Sequence, residues 1–143
     1  MRKLCLIITL VIALISLFSI TSAQEKPRPE TALKVAGQFT IDQLAVGTGI
    51  KDRELVGMAD SFPASTERVY CFLRVYEVTE DTEVTFAWYH GQNELLKTTL
   101  PLKKGARWRT FVYKNIYGQK GDWKVEIRDA TGKILKEVKF KVE

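Results

Sequence analysis

The chain has 143 residues, 22 Lys and Arg against 17 Asp and Glu, one His and two Cys. The net charge of +5 falls to +3 without the first 23 residues, which is mild and argues against a nucleic-acid binder, since that would carry a strong basic excess. One His with two Cys rules out a His-based metal cage and leaves too few ligands for zinc.

The first residues have the parts of a secretory leader: basic Arg2 and Lys3, an apolar run from Leu4 to Ile20, then Thr21-Ser22-Ala23 ahead of polar Gln24. Cleavage is expected after Ala23. The 17-residue run also reaches the lower limit of a spanning helix, so an uncleaved anchor is the alternative. Cys5 stands at the front of the run, whereas a lipid-modified Cys would follow it. Without residues 1–23 the chain keeps 120 residues, a net charge of +3 and a single Cys, Cys71. That length suits one domain, and a lone Cys leaves its stability to an apolar core.

Residues 24–38 carry Pro27 and Pro29 among alternating charges and are expected to form a flexible linker. The folded domain is expected over 39–143. From Leu44 a weak alternation through Val46, Thr48 and Ile50 predicts an opening strand. A charged corner at Lys51-Asp52-Arg53-Glu54 then leads to a short strand over Leu55 to Met58. Asp60 to Ser65 is expected to be a loop by its Pro and Ser content.

Val69 to Tyr76 is the richest strand signal: Val69, Cys71, Leu73 and Val75 on one face, Tyr70, Phe72, Arg74 and Tyr76 on the other. With apolar residues on both faces it is expected to be central. Val84, Phe86 and Trp88 begin the next strand, Gly91-Gln92-Asn93 turns it, and Glu94 to Leu100 follows, ended by Pro101. Beyond Arg107-Trp108-Arg109-Thr110, apolar Trp123, Val125 and Ile127 alternate with Lys124, Glu126 and Arg128. After Asp129-Ala130-Thr131-Gly132 the alternation resumes at Val138, Phe140 and Val142, so the last two strands close a hairpin.

About seven short strands without a long helix predict an all-β, immunoglobulin-like antiparallel β-sandwich without a disulfide; a small closed barrel is the alternative. Trp88 after Cys71 in the preceding strand fits the immunoglobulin arrangement, while Trp123, Val125 and Ile127 fill the strand of its second Cys.

Several of these pieces belong together. Trp88-Tyr89 with Gly91, Ala106 to Thr110 with Lys114, Gly121-Asp122-Trp123-Lys124-Val125, then Asp129, Gly132, Leu135 and Phe140-Lys141-Val142 resemble a bacterial family known as domain of unknown function 2914. Gly49-Ile50-Lys51-Asp52-Arg53-Glu54 looks like its opening motif, so the resemblance runs over most of Leu44 to Val142. It implies an exported or membrane-tethered β-sandwich and no catalytic activity. The chain departs from the family's pattern at Phe86-Ala87, where members often carry a His, and at Phe111-Val112, where an aromatic and Ser are common. Chemistry tied to that His does not carry over.

No reaction is legible. Cys71 sits on an apolar strand face, where a buried inert thiol is the norm, and His90 beside Gly91 reads as a hairpin-end residue. Glu77, Glu80, Asp81 and Glu83 lack the alternating oxygen ligands and Gly of a calcium loop and read as a solvated turn. No glycine-rich phosphate loop opens a helix. No enzyme, cofactor or metal is expected.

One stretch stands apart. Between Glu94 and Asp122 there is no acid, while Lys97, Lys103, Lys104, Arg107, Arg109, Lys114 and Lys120 are interleaved with Trp108, Phe111, Tyr113 and Tyr117. Strand parity sets Arg107, Arg109, Phe111 and Tyr113 on one face and Trp108, Thr110 and Val112 on the other. If Trp108 points inward, guanidinium groups and rings together face solvent, which suits an anionic polymer. The candidate ligand site is therefore Arg107, Arg109, Phe111, Tyr113 and Lys114. Such charges also serve simply to keep an outer face soluble and an edge blunt. The expected function is an exported, periplasmic or secreted, non-catalytic binding or accessory module for an anionic glycan or other envelope polymer. The alternative is a protein-interaction domain that pairs with an envelope protein through an exposed edge strand. Contact with a membrane is expected only if the leader is uncleaved.

Overall fold

A computed structural model describes residues 39–143, all of it strand, turn and loop. The expected leader, anchor and linker lie outside the described residues. Ten strands follow in order: β1 Thr40–Gly47, β2 Gly49–Lys51, β3 Glu54–Val56, β4 Ser61–Phe62, β5 Arg68–Val78, β6 Thr82–His90, β7 Asn93–Leu102, β8 Gly105–Asn115, β9 Gly121–Arg128 and β10 Ile134–Val142. Seven are long and three are short; among the short ones, β3 covers part of the strand expected over Leu55 to Met58.

Two sheets share one core. The smaller has the order β1-β5-β8 and the larger β4-β10-β9-β6-β7, while β2 and β3 form a separate hairpin. Their common interior takes the predicted inward residues: Val69, Cys71, Leu73 and Val75 from β5, Val84, Phe86 and Trp88 from β6, and Trp123, Val125 and Ile127 from β9. The sandwich stands, and β5 is central in its sheet as its two-sided apolar pattern requires. Trp88 and Cys71 are both fully buried on β6 and β5. In the closing hairpin Trp123 pairs with Phe140 and Val125 with Val138. The rings of Trp123 and Phe140 stack at 5.9 Å.

Three expectations change. Ser61–Phe62, expected in a loop, is a strand running parallel to β10, with Phe62 buried edge-on against Phe140 at 5.6 Å. A single large ring supplies the apolar area that anchors so short a strand; Pro63 next to it hid the signal. Pro101, expected to end its strand, lies inside β7. The strand is at the sheet edge, where proline is tolerated because one side of the backbone has no partner strand. β1 also begins at Thr40, ahead of the expected Leu44.

The charged corner is a two-residue turn in which Asp52 (φ 52°) and Arg53 (φ 64°) both adopt the left-handed conformation that a tight hairpin demands. The β2–β3 hairpin packs against β1 and β5, and its Leu55 side chain sits over Gly47. A Cβ on Gly47 would lie 2.6 Å from the Val56 carbonyl oxygen, so only glycine lets the hairpin approach this closely.

Candidate ligand-binding face

On β8 the alternation holds: Val112 is buried and Trp108 packs against the core, while Arg107, Phe111 and Tyr113 are exposed on the outer side. Antiparallel pairing with β5 then adds a second row that sequence spacing alone does not bring into view. Arg107 lies opposite Tyr76, Arg109 opposite Arg74, Phe111 opposite Phe72, Tyr113 opposite Tyr70 and Asn115 opposite Arg68.

At one end of this face the side chains form a ring platform. Tyr70 stands between Phe111 and Tyr113, at centroid distances of 6.1 and 5.5 Å. The Arg68 guanidinium lies 4.2 Å above the Tyr113 ring and its Nε donates to Asn115 Oδ1 at 3.0 Å. Asn115 in turn donates to the Tyr117 hydroxyl at 2.8 Å. Phe111 and Tyr113 keep 43% and 48% of their surface exposed and Tyr117 keeps 72%, so open ring surface remains after these contacts. A groove of about 520 Å³ adjoins the platform, lined by Thr48, Ser65, Thr66 and Glu67 and sharing Arg68 and Tyr70 with it.

The middle of the face is occupied. Glu54 on the hairpin sits 3.0 Å from Arg109 Nη2 and 3.7 Å from Arg74 Nη1, and Arg74 Nε donates to Asp42 at 2.6 Å. Arg109 therefore spends its charge inside the protein, and its Nε is buried without a partner among the described residues. Phe72 faces outward yet is fully buried and stands outside the sandwich core, because the hairpin lies on this part of β5. At the far end Arg107 rests 5.1 Å from the Tyr76 ring and takes part in no ion pair among the described residues.

The expected site thus comes together only in part. Phe111 and Tyr113 meet in one platform, Arg107 stands alone at the opposite end, and Arg109 is neutralised. Lys114 pairs with buried Val69 and, one position past Tyr113, points to the other side of the strand. Its place beside Tyr113 rests on adjacency in the chain, which in a strand separates side chains. Arg68 and Tyr70 were missed. Tyr70 lies on the outer parity of Val69 to Tyr76, and Arg68 continues that parity just ahead of the expected strand, but register decides which outer residues of β5 meet β8.

The outer face of the larger sheet is self-contained by comparison. Buried Glu126 is held between Lys124 at 2.8 Å and Arg128 at 2.7 Å, and Arg128 also donates to the Tyr89 hydroxyl. Burial penalises the Glu126 carboxylate, yet hydrogen bonds from Lys124 and Arg128 outweigh this and hold its pKa below the ordinary value. A shallow concavity of about 480 Å³ beside Asp60, Gln92 and Lys141 shows no exposed ring, since the Trp123 and Phe140 that border it are buried. His90 stacks on Trp123 at 4.6 Å, with Nε2 2.8 Å from the Lys120 carbonyl oxygen. Cys71 is buried, and burial pushes its thiol pKa far up. Asp81 is gripped by the Lys104 amide and the Lys103 ammonium, which lower its pKa.

Residues 81–142 match the model of a family described as "Protein of unknown function (DUF2914)". The expected resemblance is met over that part of the chain, whereas Gly49 to Glu54 falls outside the match. No curated protein matches. Among solved structures, the chain is similar to a β-glucosidase from Kluyveromyces marxianus at 11% identity and a TM-score of 0.45, covering 75% of this chain and 14% of that one. It is also similar to a β-glucosidase from Listeria innocua in complex with glucose, at 6% identity and a TM-score of 0.46, covering 73% and 16%. A third is a Bifidobacterium adolescentis GH3 β-glucosidase, at 13% identity and a TM-score of 0.46, covering 74% and 17%. The chain spans about a sixth of the length of these enzymes.

Proposed function

We propose that the chain is an exported, non-catalytic binding module for an anionic glycan or related envelope polymer, held on the outer face of the β1-β5-β8 sheet. The observation that carries this is the platform of Phe111, Tyr70 and Tyr113 with Arg68 stacked at its end. Flat rings cover the apolar face of a sugar, and a guanidinium meets a carboxylate or phosphate with two parallel hydrogen bonds. The Thr48, Ser65 and Thr66 hydroxyls in the adjoining groove suit the sugar's own hydroxyls.

The separation of the two cation–ring pairs favours a polymer over a single sugar. Tyr70 and Tyr76 are six positions apart on β5, about 20 Å at the strand rise of ~3.3 Å per residue. A chain of several sugars reaches from Arg68 to Arg107 along β8, past exposed Phe111, since the hairpin covers the β5 side of the middle; one sugar occupies only one end.

Binding of polygalacturonate, a uronate polymer, tests the proposal in low salt and at about 0.3 M salt, where screening weakens exposed charge contacts. Arg68→Ala with Tyr113→Ala is expected to weaken binding by about tenfold or more, the sum of one charge-assisted contact and one stacked ring. Equal binding by this double variant and the parent removes the proposal.

A further inference from the structure

The sandwich is closed along one side and open along the other. On the closed side β1 packs against β10, and β4 adds a parallel strand beyond it. The other side is bordered by β7 and β8, the terminal strands of their sheets, joined by only Lys103 and Lys104. So short a link keeps these two edges on the same flank, yet β7 and β8 make no contact comparable to that of β1 with β10.

Two features of this flank are unmatched among the described residues. The outer edge of β8 offers every second N–H and C=O of an 11-residue strand with no strand beside it. The inward side of β7 is only partly covered: Leu96, opposite Trp88, is 38% exposed, and Thr98 and Leu100 are half-buried before Leu102 reaches the dry interior. A sheet of three strands facing one of five leaves this shelf without a roof. Both deficits have the same remedy, one more strand on β8 whose inward side chains cover Leu96 and Leu100.

We propose that this flank takes an extended acidic peptide of a partner protein as an added strand on β8. Main-chain bonds to the free edge would supply affinity, and alternate side chains selectivity. Inward positions call for apolar residues against the β7 shelf. The outward position beside Arg107, which takes part in no ion pair among the described residues, calls for Asp or Glu, whereas Arg109 is already held by Glu54. A second copy of this chain fits poorly at the same edge: from residue 95 to 121 there is no acid, so self-pairing brings no carboxylate to Arg107. The added strand uses the main-chain edge of β8, whereas the ring platform uses outward side chains; Phe111 and Tyr113 border both, but the anchoring Arg68 and Tyr70 lie on β5, away from this edge.

Hydrogen exchange of the purified protein, with and without a capped octapeptide of alternating Val and Glu, tests the proposal. Every second amide of β8 between Arg107 and Tyr113 is expected to slow by about tenfold or more with this peptide and to stay unchanged with its Val and Lys counterpart. Arg68→Ala, which weakens polymer binding on the ring face, is expected to leave this protection intact, so the two sites fail or stand separately. Protection at the β7 or β1 edge instead, or none at all, overturns the proposal. So does protection of the β8 amides before any peptide is added, which would assign the edge to the chain's own preceding segment in a monomer or to a second copy in a dimer.

Discussion

Arg109 on β8 donates through Nη2 to Glu54 on the β3 strand across 3.0 Å, although 55 positions separate them in the chain. That bond turns an arginine counted among the ligand residues into a strut for the hairpin, and moves the binding chemistry of this face to its two ends.

Removing the carboxylate reverses this. Glu54→Gln is expected to change stability by no more than about 1 kcal/mol, since the pair is partly exposed and screened. It should strengthen binding of an anionic polymer, with a steeper salt dependence, because Arg109 and part of Arg74 become available. Unchanged affinity and salt slope in parallel titrations of parent and variant would place the ligand elsewhere.

Trp123 joins the core to the end of the sheet, stacked on Phe140 on one side and on His90 on the other. Trp123→Ala is expected to cost about 3–5 kcal/mol by lost burial and the cavity left behind. Equilibrium denaturation in urea measures this. A midpoint equal to the parent's would mean that the ring contributes no packing.

Cys71 is expected to resist thiol reagents in the native protein and to react at once after unfolding, because its thiol is fully buried and burial favours the protonated form. Cys71→Ser places a hydroxyl in the same dry site and should cost about 1–3 kcal/mol. Stoichiometric labelling without denaturant would contradict the burial.

Acid should weaken the fold through Glu126 and Asp129. For both, burial favours the neutral form, but hydrogen bonds win: from Lys124 and Arg128 to Glu126, and from Thr131 and Lys133 to Asp129. A folded pKa below the unfolded one adds stability that is fully present above the ordinary carboxylate value of about 4 and is lost as the pH falls through the folded value. Urea midpoints are therefore expected to hold steady from about pH 7 to 5 and to drop below about pH 4. The Glu126→Gln variant should show a shallower drop; an identical profile would detach this carboxylate from the acid response.

Much of the architecture was legible because burial imposes a period of two on a strand. Val69 to Val75, Val84 to Trp88 and Trp123 to Ile127 each declare an inward face, and the paired turns at Gly91 and Gly132 declare hairpins. Phe62 escaped because two residues cannot show a period, and Pro101 misled because an edge strand forgives a missing N–H. Arg107, Phe111 and Tyr113 were assigned to the right side of β8, but Lys114 was grouped with them by adjacency.

By itself, then, the amino-acid order determined which side chains of each strand turn inward, since alternation is local and repeats every second residue. Which outer residues meet was settled only by tertiary structure. Register brings Tyr70 between Phe111 and Tyr113 from some 40 positions away. The hairpin's fold-back sets Glu54 against Arg109 and buries Phe72. Such contacts depend on where strands are laid side by side, a choice made by the packing of the whole core and written in no single stretch of the chain.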